Sequence, residues 1–351
     1  MLKLITHQLV IARKRTLCHH ASTVLPLEDE RVLVAWFGGS QEHSDDVGIY
    51  LAEKKSVGFS EPQLMASSMT AHWNPVLFQA GDGRILLFYK VGREIRDWRT
   101  FVRESHDLGR TWGEPFELIP GDTSGGRGPV RNKPLRLKSG RIVAPASVER
   151  GLWRCFMDLS DDDGHTWRRS PMITARGTDA IEAQFVYWQR RMTEARETGK
   201  PVPWDEIPAE YINGRGIIQP TLWEDEKGLH ALMRSGEGWI YRSDSTDGGE
   251  SWSEGVPTSV PNNNSGIDLT RLENGILLLA YNPVGENFGA RTPISIAAAR
   301  DGGLTWEHQC DLEAGPGEYS YPAIVSRENR IWMTYTWKRE NIAYWELEWA
   351  D

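Results

Sequence analysis

Six short polar clusters in this sequence each stand at the start of an apolar, strand-like run. They are His19 and His20; His72 and Asn74; Arg131, Asn132 and Lys133; Gln219; Asn264, Ser265 and Asp268; and Glu318, Tyr319 and Tyr321. Brought together, such groups would line a polar, partly cationic pocket. Arginine grips a carboxylate through parallel N–H bonds, and imidazole or phenol can move a proton. Two arginines could fork one carboxylate between them, with Lys133 in "RGPVRNKP" as a further anion contact. The loop "QEHSDDVG" adds Asp45 and Asp46 beside Glu42 and His43, which reads either as a solvated acidic turn or as a source of acid/base groups.

The elements that must position these residues repeat along the chain. "STVLPLEDERVLVAWF" from Ser22, "NPVLFQAGDGRILLFY" from Asn74 and "KPLRLKSGRIVAPA" from Lys133 each join two short strands across a Gly/Asp/Asn turn. "QPTLWEDEKGLHALM" from Gln219, "SGIDLTRLENGILLLAY" from Ser265 and "YPAIVSRENRIWMTY" from Tyr321 do the same. A third strand often follows, and after it comes an octet: "SHDLGRTW" (105–112), "SDDDGHTW" (160–167), "STDGGESW" (245–252) or "ARDGGLTW" (299–306). In these octets Ser and Asp can bond turn amides, Gly can take a positive φ, and Trp can pack on the neighbouring unit. Asp107, Asp162, Asp247 and Asp301 are therefore read as fold residues rather than catalysts.

Four antiparallel strands repeated about six times predict an all-β chain, a six-bladed β-propeller over residues 1–351. A strand near residues 3–11 would help close the ring. The strand starts of a propeller converge on its axis at one end, which would gather the six clusters into one funnel and leave the octet turns on the rim, away from it. Residues 177–213 break the pattern. Helix-type spacing over 181–198 and a Pro-rich turn predict a helical insertion between blades three and four, read as a surface elaboration rather than a lid.

Composition sets the limits. A hydrophobic content of 39% and a charged content of 25% are those of a soluble globular protein. The net charge of −9 and the lack of a basic stripe argue against a nucleic-acid partner, although a pocket can hold a local field opposite to the net charge. Cys18, Cys155 and Cys310 are scattered, which fits neither a disulfide framework nor a zinc site. No metal or cofactor is implied. No run approaches membrane-spanning length, and "MLKLITHQLVIARKRTL" makes a poor signal peptide, so no membrane partner and a cytoplasmic location are expected.

The octets together with the strand pairs resemble the sialidase (neuraminidase) superfamily of Asp-box, or BNR-repeat, proteins, over roughly residues 15–348 apart from the insertion. The resemblance implies a six-bladed propeller and a site in which three arginines hold a substrate carboxylate. A tyrosine activated by a glutamate attacks the anomeric carbon, and an aspartate on a loop serves as acid/base. Arg234 and Arg291 fall on the stretches bearing the second and third arginines, Tyr319 in "EYSYPAI" on the nucleophile, and Asp46 or Asp45 on the acid/base. Two positions depart: His20 stands where the first arginine belongs, and Gln219 where the activating glutamate belongs. An amide cannot take a phenolic proton as a carboxylate can.

These readings lead to a glycoside hydrolase of sialidase-like type acting on a terminal, acidic sugar of a glycan. Its catalytic candidates are Tyr319, Asp46, Asp45, Gln219 and His20. Its substrate-binding candidates are Arg234, Arg291, Lys133, Asn132, Arg131, His72, Asn74, Ser265 and Asp268. A polysaccharide lyase acting on a uronic acid, with His20 or His72 and Tyr319 handling the protons, is the alternative enzyme. A non-catalytic glycan-binding propeller is the third reading.

Overall fold

Short runs of β-branched and aromatic residues bounded by Gly, Asp and Asn turns pair into hairpins, and hairpins with one apolar face must stack. In the computed structural model, which describes residues 1–149, 151–207 and 214–350, they form six antiparallel sheets arranged as blades. Blade one holds Cys18–Pro26, Val32–Gly39 and Gly48–Lys55 with two short edge strands. Blade two holds His72–Gln79, Ile85–Val91, Arg99–Ser105 and Phe116–Glu117, and blade three Leu135–Arg136, Ile142–Val148, Arg154–Ser160 and Arg168–Arg169. Blade four holds Ile217–Asp225, Gly228–Ser235, Trp239–Ser245 and Val256–Pro261, and blade five Asp268–Arg271, Leu277–Tyr281, Ile294–Ala299 and Glu307–Glu313. Blade six takes Tyr319–Arg327, Arg330–Trp337 and Asn341–Trp349 from the end of the chain and Leu2–Leu9 from its beginning.

The six-bladed expectation holds, and the closing strand is Leu2–Leu9, registered from Leu2 opposite Trp349 to Leu9 opposite Ala343. Apolar clusters join neighbouring blades. Trp36 and Val34 of blade one pack with Trp332 and Tyr344 of blade six, and Trp223 of blade four packs with Leu277 and Leu279 of blade five. The insertion carries helix α1 (Asp179–Thr198) between blades three and four, ending at Gly199 in the left-handed conformation that only a residue without Cβ adopts at little cost. Residues 208–213 of the expected insertion lie outside the described residues.

Each octet folds as a closed turn. In 160–167, Ser160 Oγ donates to Asp162 Oδ1 (2.8 Å), which also accepts from Thr166 N (2.8 Å), while Thr166 Oγ1 donates to Oδ2 (2.6 Å). Trp167 stands edge-on to Phe88 of blade two, and Asp163 accepts from Gly81 N and Asp82 N of the blade-two hairpin (2.7 and 2.8 Å). These hydrogen bonds hold Asp107, Asp162 and Asp247 down at about 2. The octet aspartates close the turns, and Asp163 and Trp167 tie the 160–167 turn to blade two.

Along the axis, three consecutive residues reach from the entry to blade three into three other blades. Arg131 Nη2 donates to the carbonyls of Tyr321 and Pro322 (2.8 Å to the latter) in blade six. Asn132 Nδ2 donates to those of Gln219 and Pro220 (both 3.0 Å) in blade four. Lys133 Nζ bonds Asp268 Oδ2 and the Leu269 carbonyl (both 2.8 Å) in blade five. Asp268 also accepts from Thr221 Oγ1 (2.6 Å) and Ile324 N (2.9 Å). Arg131, Asn132, Lys133 and Asp268, expected as substrate contacts, thus carry bonds within the chain, since polar groups withdrawn from water on the axis need partners there.

Asp268→Ala would leave the Lys133 ammonium without its carboxylate and Ile324 N without its acceptor. A loss of about 3–5 kcal/mol in urea-unfolding stability is expected. A loss under about 1 kcal/mol would mean that the axial pair behaves like a surface ion pair.

Candidate functional site

The innermost strands of four blades share one irregularity. Ala21, Asn74, Gln219 and Tyr321 have φ of 50°, 42°, 53° and 55°, and at each the pairing with the second strand slips register. In three of them the next residue is proline (Pro75, Pro220 and Pro322), which has no N–H for the bulge to waste. A side chain in the left-handed region costs about 1–3 kcal/mol and persists where the surroundings enforce it.

Tyr321 is the centre of the funnel. The guanidinium carbons of Arg131, Arg234 and Arg291 lie 5.4, 5.5 and 5.4 Å from its ring centroid. Arg234 Nη1 donates to its hydroxyl at 2.7 Å. Cations over an aromatic face are each stabilising by about 0.5–2 kcal/mol. The His20 ring stands 4.3 Å away on another side.

Arg234 is buried and held on every side. Its Nε donates to Asn264 Oδ1 and its Nη1 to Gln219 Oε1 (both 3.1 Å), and its guanidinium lies 6.0 Å from the Trp153 ring. Gln219 therefore presents its carbonyl oxygen to the arginine. Glu149 lies on the same side. It keeps some surface exposure, yet burial of its carboxyl pushes its pKa up, against the opposing pull of Arg234 and a hydrogen bond with Gln219. His20 shares Thr336 Oγ1 through Nδ1 (2.8 Å), and its buried Nε2 has no hydrogen-bond partner. Burial, then the charges of Arg339, Arg291, Arg131 and Arg234, drive its pKa well below the ordinary value, so it is neutral. Burial also lowers Arg131 to about 10, which leaves it charged.

At the mouth, Arg291 Nη1 donates to Glu318 Oε1 (2.7 Å) and Arg339 Nε to Glu318 Oε2 (2.9 Å), and Arg339 Nη1 pairs with Glu42. Burial would raise Glu318, but the two arginines outweigh it and hold its pKa below the usual carboxylate range.

The other expected residues are placed elsewhere or differently. Tyr319 is buried between blades with Tyr335 and Ile294, and its hydroxyl donates to the Pro316 carbonyl (3.3 Å), so the tyrosine facing the arginines is Tyr321, two residues on. The alternation of a strand puts neighbours on opposite faces, and the bulge turns Tyr321 toward the axis. Asp46 accepts from Ser40 N and Oγ (both 2.9 Å), which folds the 40–47 loop, and Asp45 pairs with Arg93 at the exposed surface (2.7 Å). His72 bonds the Thr70 carbonyl (2.9 Å) and stacks on Tyr89, in a groove with Leu64 and Phe101 apart from the arginine cluster. Asn74 is buried at its bulge, and Ser265 is buried with an unpartnered Oγ.

Glu149 and Arg339 carry no signal in the sequence: neither stands in a polar cluster at a strand start or on a stretch that resembles the superfamily's site. Each second strand runs back to the funnel end, so the residues finishing it are as eligible. Arg234 near the end of one, Glu149 just after another and Arg339 in the turn following a third are such residues. Among the described residues, no group of three or more His, Cys, Asp or Glu side chains is placed to hold a metal ion.

Six blades, inter-blade Asp-box turns and an axial funnel of arginines around a tyrosine define a sialidase-like propeller. The chain belongs to the BNR repeat-like domain family, whose sequence profile matches residues 30–333. Among solved structures it is similar to a protein of unknown function from Dyadobacter fermentans (17% identity, TM-score 0.73, covering 99% of each chain). It is also similar to the NanB sialidase from Streptococcus pneumoniae (11% identity, TM-score 0.71, 97% of this chain and 70% of that one). A third is the intramolecular trans-sialidase from Ruminococcus gnavus (13% identity, TM-score 0.67, 98% and 97%). At these identities the likeness is one of fold. The sequence has no significant match among curated proteins.

His20 provides a pH readout. An unfolded histidine takes up a proton as pH falls through about 6.5. His20 in the fold resists it, so its contribution favours folding above that pH and is lost as pH falls below it. Its imidazole signals in a proton–nitrogen spectrum are expected to stay at neutral positions as pH falls through the ordinary histidine value of about 6.5. Titration near the ordinary value would contradict the buried placement.

Proposed function

We propose that the protein is a sialidase-like exo-glycoside hydrolase that removes a terminal acidic sugar from a glycan. The observation that carries this reading is Tyr321, partly exposed in the funnel, with three guanidinium groups around its ring and Arg234 bonded to its hydroxyl. In this reading Arg234 and Arg291 receive the sugar carboxylate. Tyr321 Oη bonds to the anomeric carbon as the glycosidic C–O bond breaks, and Asp46 or Asp45 delivers a proton to the leaving oxygen. Water then hydrolyses the glycosyl–tyrosine and restores the phenol. Glu149, bonded to Gln219 and close to the Arg234 that holds the Tyr321 hydroxyl, takes the phenolic proton in place of the carboxylate that Gln219 lacks. A carboxyl with a raised pKa is the stronger base for that task. The Ruminococcus gnavus protein was solved with oseltamivir carboxylate, itself an anion, which supports the same ligand class here.

His20 favours a second reading. If its Nδ1 donates to Thr336 Oγ1, its unpartnered Nε2 presents a lone pair beside Tyr321. A uronic-acid lyase needs such a neutral base for the α-proton, a phenol for the leaving group and arginines on the carboxylate.

The test is a screen of pure protein on methylumbelliferyl sialosides and glucuronides and on uronate polysaccharides. Release of methylumbelliferone is the result expected. An ultraviolet-absorbing unsaturated uronide would select the lyase, and binding with no product would leave a glycan-binding propeller. Tyr321→Phe is expected to lower turnover by about 100-fold or more while Tyr319→Phe keeps it. The reverse order would return the nucleophile to Tyr319.

A further inference from the structure

We propose that Arg339 is a specificity-determining residue of this funnel, which together with Arg291 admits an anionic substituent of the sugar. The proposal rests on the reading of the funnel as an acidic-sugar site.

The turn that presents Arg339 is built against local preference. Lys338 and Arg339 have φ of 53° and 54°, and Glu340 N donates to the Trp337 carbonyl (3.0 Å), which makes a type I′ turn at the hairpin between the last two strands. Such turns ordinarily carry Asn-Gly or Gly-Gly, because both central residues must be left-handed. Two long cationic side chains stand there instead. The backbone is fastened on both sides: Lys338 N donates to the Glu318 carbonyl (2.7 Å), and the Arg339 carbonyl accepts from His19 N of blade one (2.8 Å). Strain of this kind is kept where the surrounding structure enforces it, and here it aims one side chain.

That side chain joins the site already described. One carboxylate, Glu318, is divided between Arg291 on Oε1 and Arg339 on Oε2, with Ser320 Oγ also on Oε1 (2.8 Å). The side chains of Arg291 and Arg339 are 23% and 28% exposed, neither sealed in nor on the open surface. Each guanidinium has five N–H donors, and the pairs with Glu318 and Glu42 together with the bond between Arg339 and the Cys18 thiol do not exhaust them. The bond from His19 N to the Arg339 carbonyl (2.8 Å) and the Glu318 carboxylate shared with Arg291 set it at the same funnel.

A purely structural ion pair would stabilise the mouth without distinguishing ligands. The test therefore compares affinities for N-acetylneuraminic acid against its methyl ester, and for glucuronic acid against glucose, by calorimetry on the full chain. Wild type is expected to prefer the acid in at least one pair. Arg339→Gln should lose about tenfold or more of affinity for that acid, the worth of one charge-assisted hydrogen bond, with affinity for the neutral partner unchanged. Arg339→Lys, which keeps the charge, should recover part of it, and serves as the test if Arg339→Gln does not fold. Equal discrimination by wild type and both variants would overturn the role of Arg339 and leave the acidic-sugar reading standing. A wild type with no preference for either acid would overturn that reading, and this proposal with it.

Discussion

Three consecutive side chains on the axis hold the fold and the site in one arrangement. Rings of blades leave a hole where the innermost strands meet, and that hole exposes strand-edge carbonyls that need donors. Arg131, Asn132 and Lys133 fill it, each bonding a different blade. Blade three, whose own innermost strand is only Leu135–Arg136, thereby supplies the plug for the others. Short strand and long polar lead-in are two aspects of one solution: residues that do not pair within a sheet are free to reach across the centre.

The plug also explains why a tyrosine can persist in a left-handed conformation. Arg131 bonds the carbonyls of Tyr321 and of Pro322, the two residues of the bulge, while its guanidinium lies beside the Tyr321 ring. Backbone strain, axial packing and cationic surroundings therefore meet at one residue. Arg234 is fixed in the same way from outside the plug, by Asn264, Gln219 and Tyr321. A site assembled from such mutually restrained groups needs little rearrangement to meet a ligand, which is the physical content of preorganisation.

Much of this was legible in the sequence because it repeats. The octets and strand pairs announce blades by local chemistry alone, and Arg234 and Arg291 follow from the resemblance of their stretches to those that bear the superfamily's arginines. Tyr319 against Tyr321 could not be decided by spacing. The bulge before Pro322 reverses which neighbour faces the axis, and only the register slip shows it. Arg131, Lys133 and Asp268 look like ligand contacts to any reading of residue type, since a buried plug and an anion site use the same side chains. Glu149 and Arg339 lie just beyond second strands in no recognisable motif, and their nearness to the funnel depends on a return path through the sheet. The expected helix over 181–198 became Asp179–Thr198, its pattern being local and its C-terminus set by the left-handed Gly199.

The ring is closed by pairing the first strand with the last, Leu2 opposite Trp349 and Leu9 opposite Ala343. This register places both chain ends at the same end of the clasp. Tension applied between the ends therefore does not load the whole row of hydrogen bonds in parallel, as it would if the strands were pulled lengthwise past each other. It opens the pairs one after another, beginning with Leu2 and Trp349, like peeling a strip of tape. The seam that completes the propeller is thus strong against sideways separation of blades one and six, which share the packed aromatic cluster of Trp36, Trp332 and Tyr344. Against a pull on its own termini it is mechanically soft.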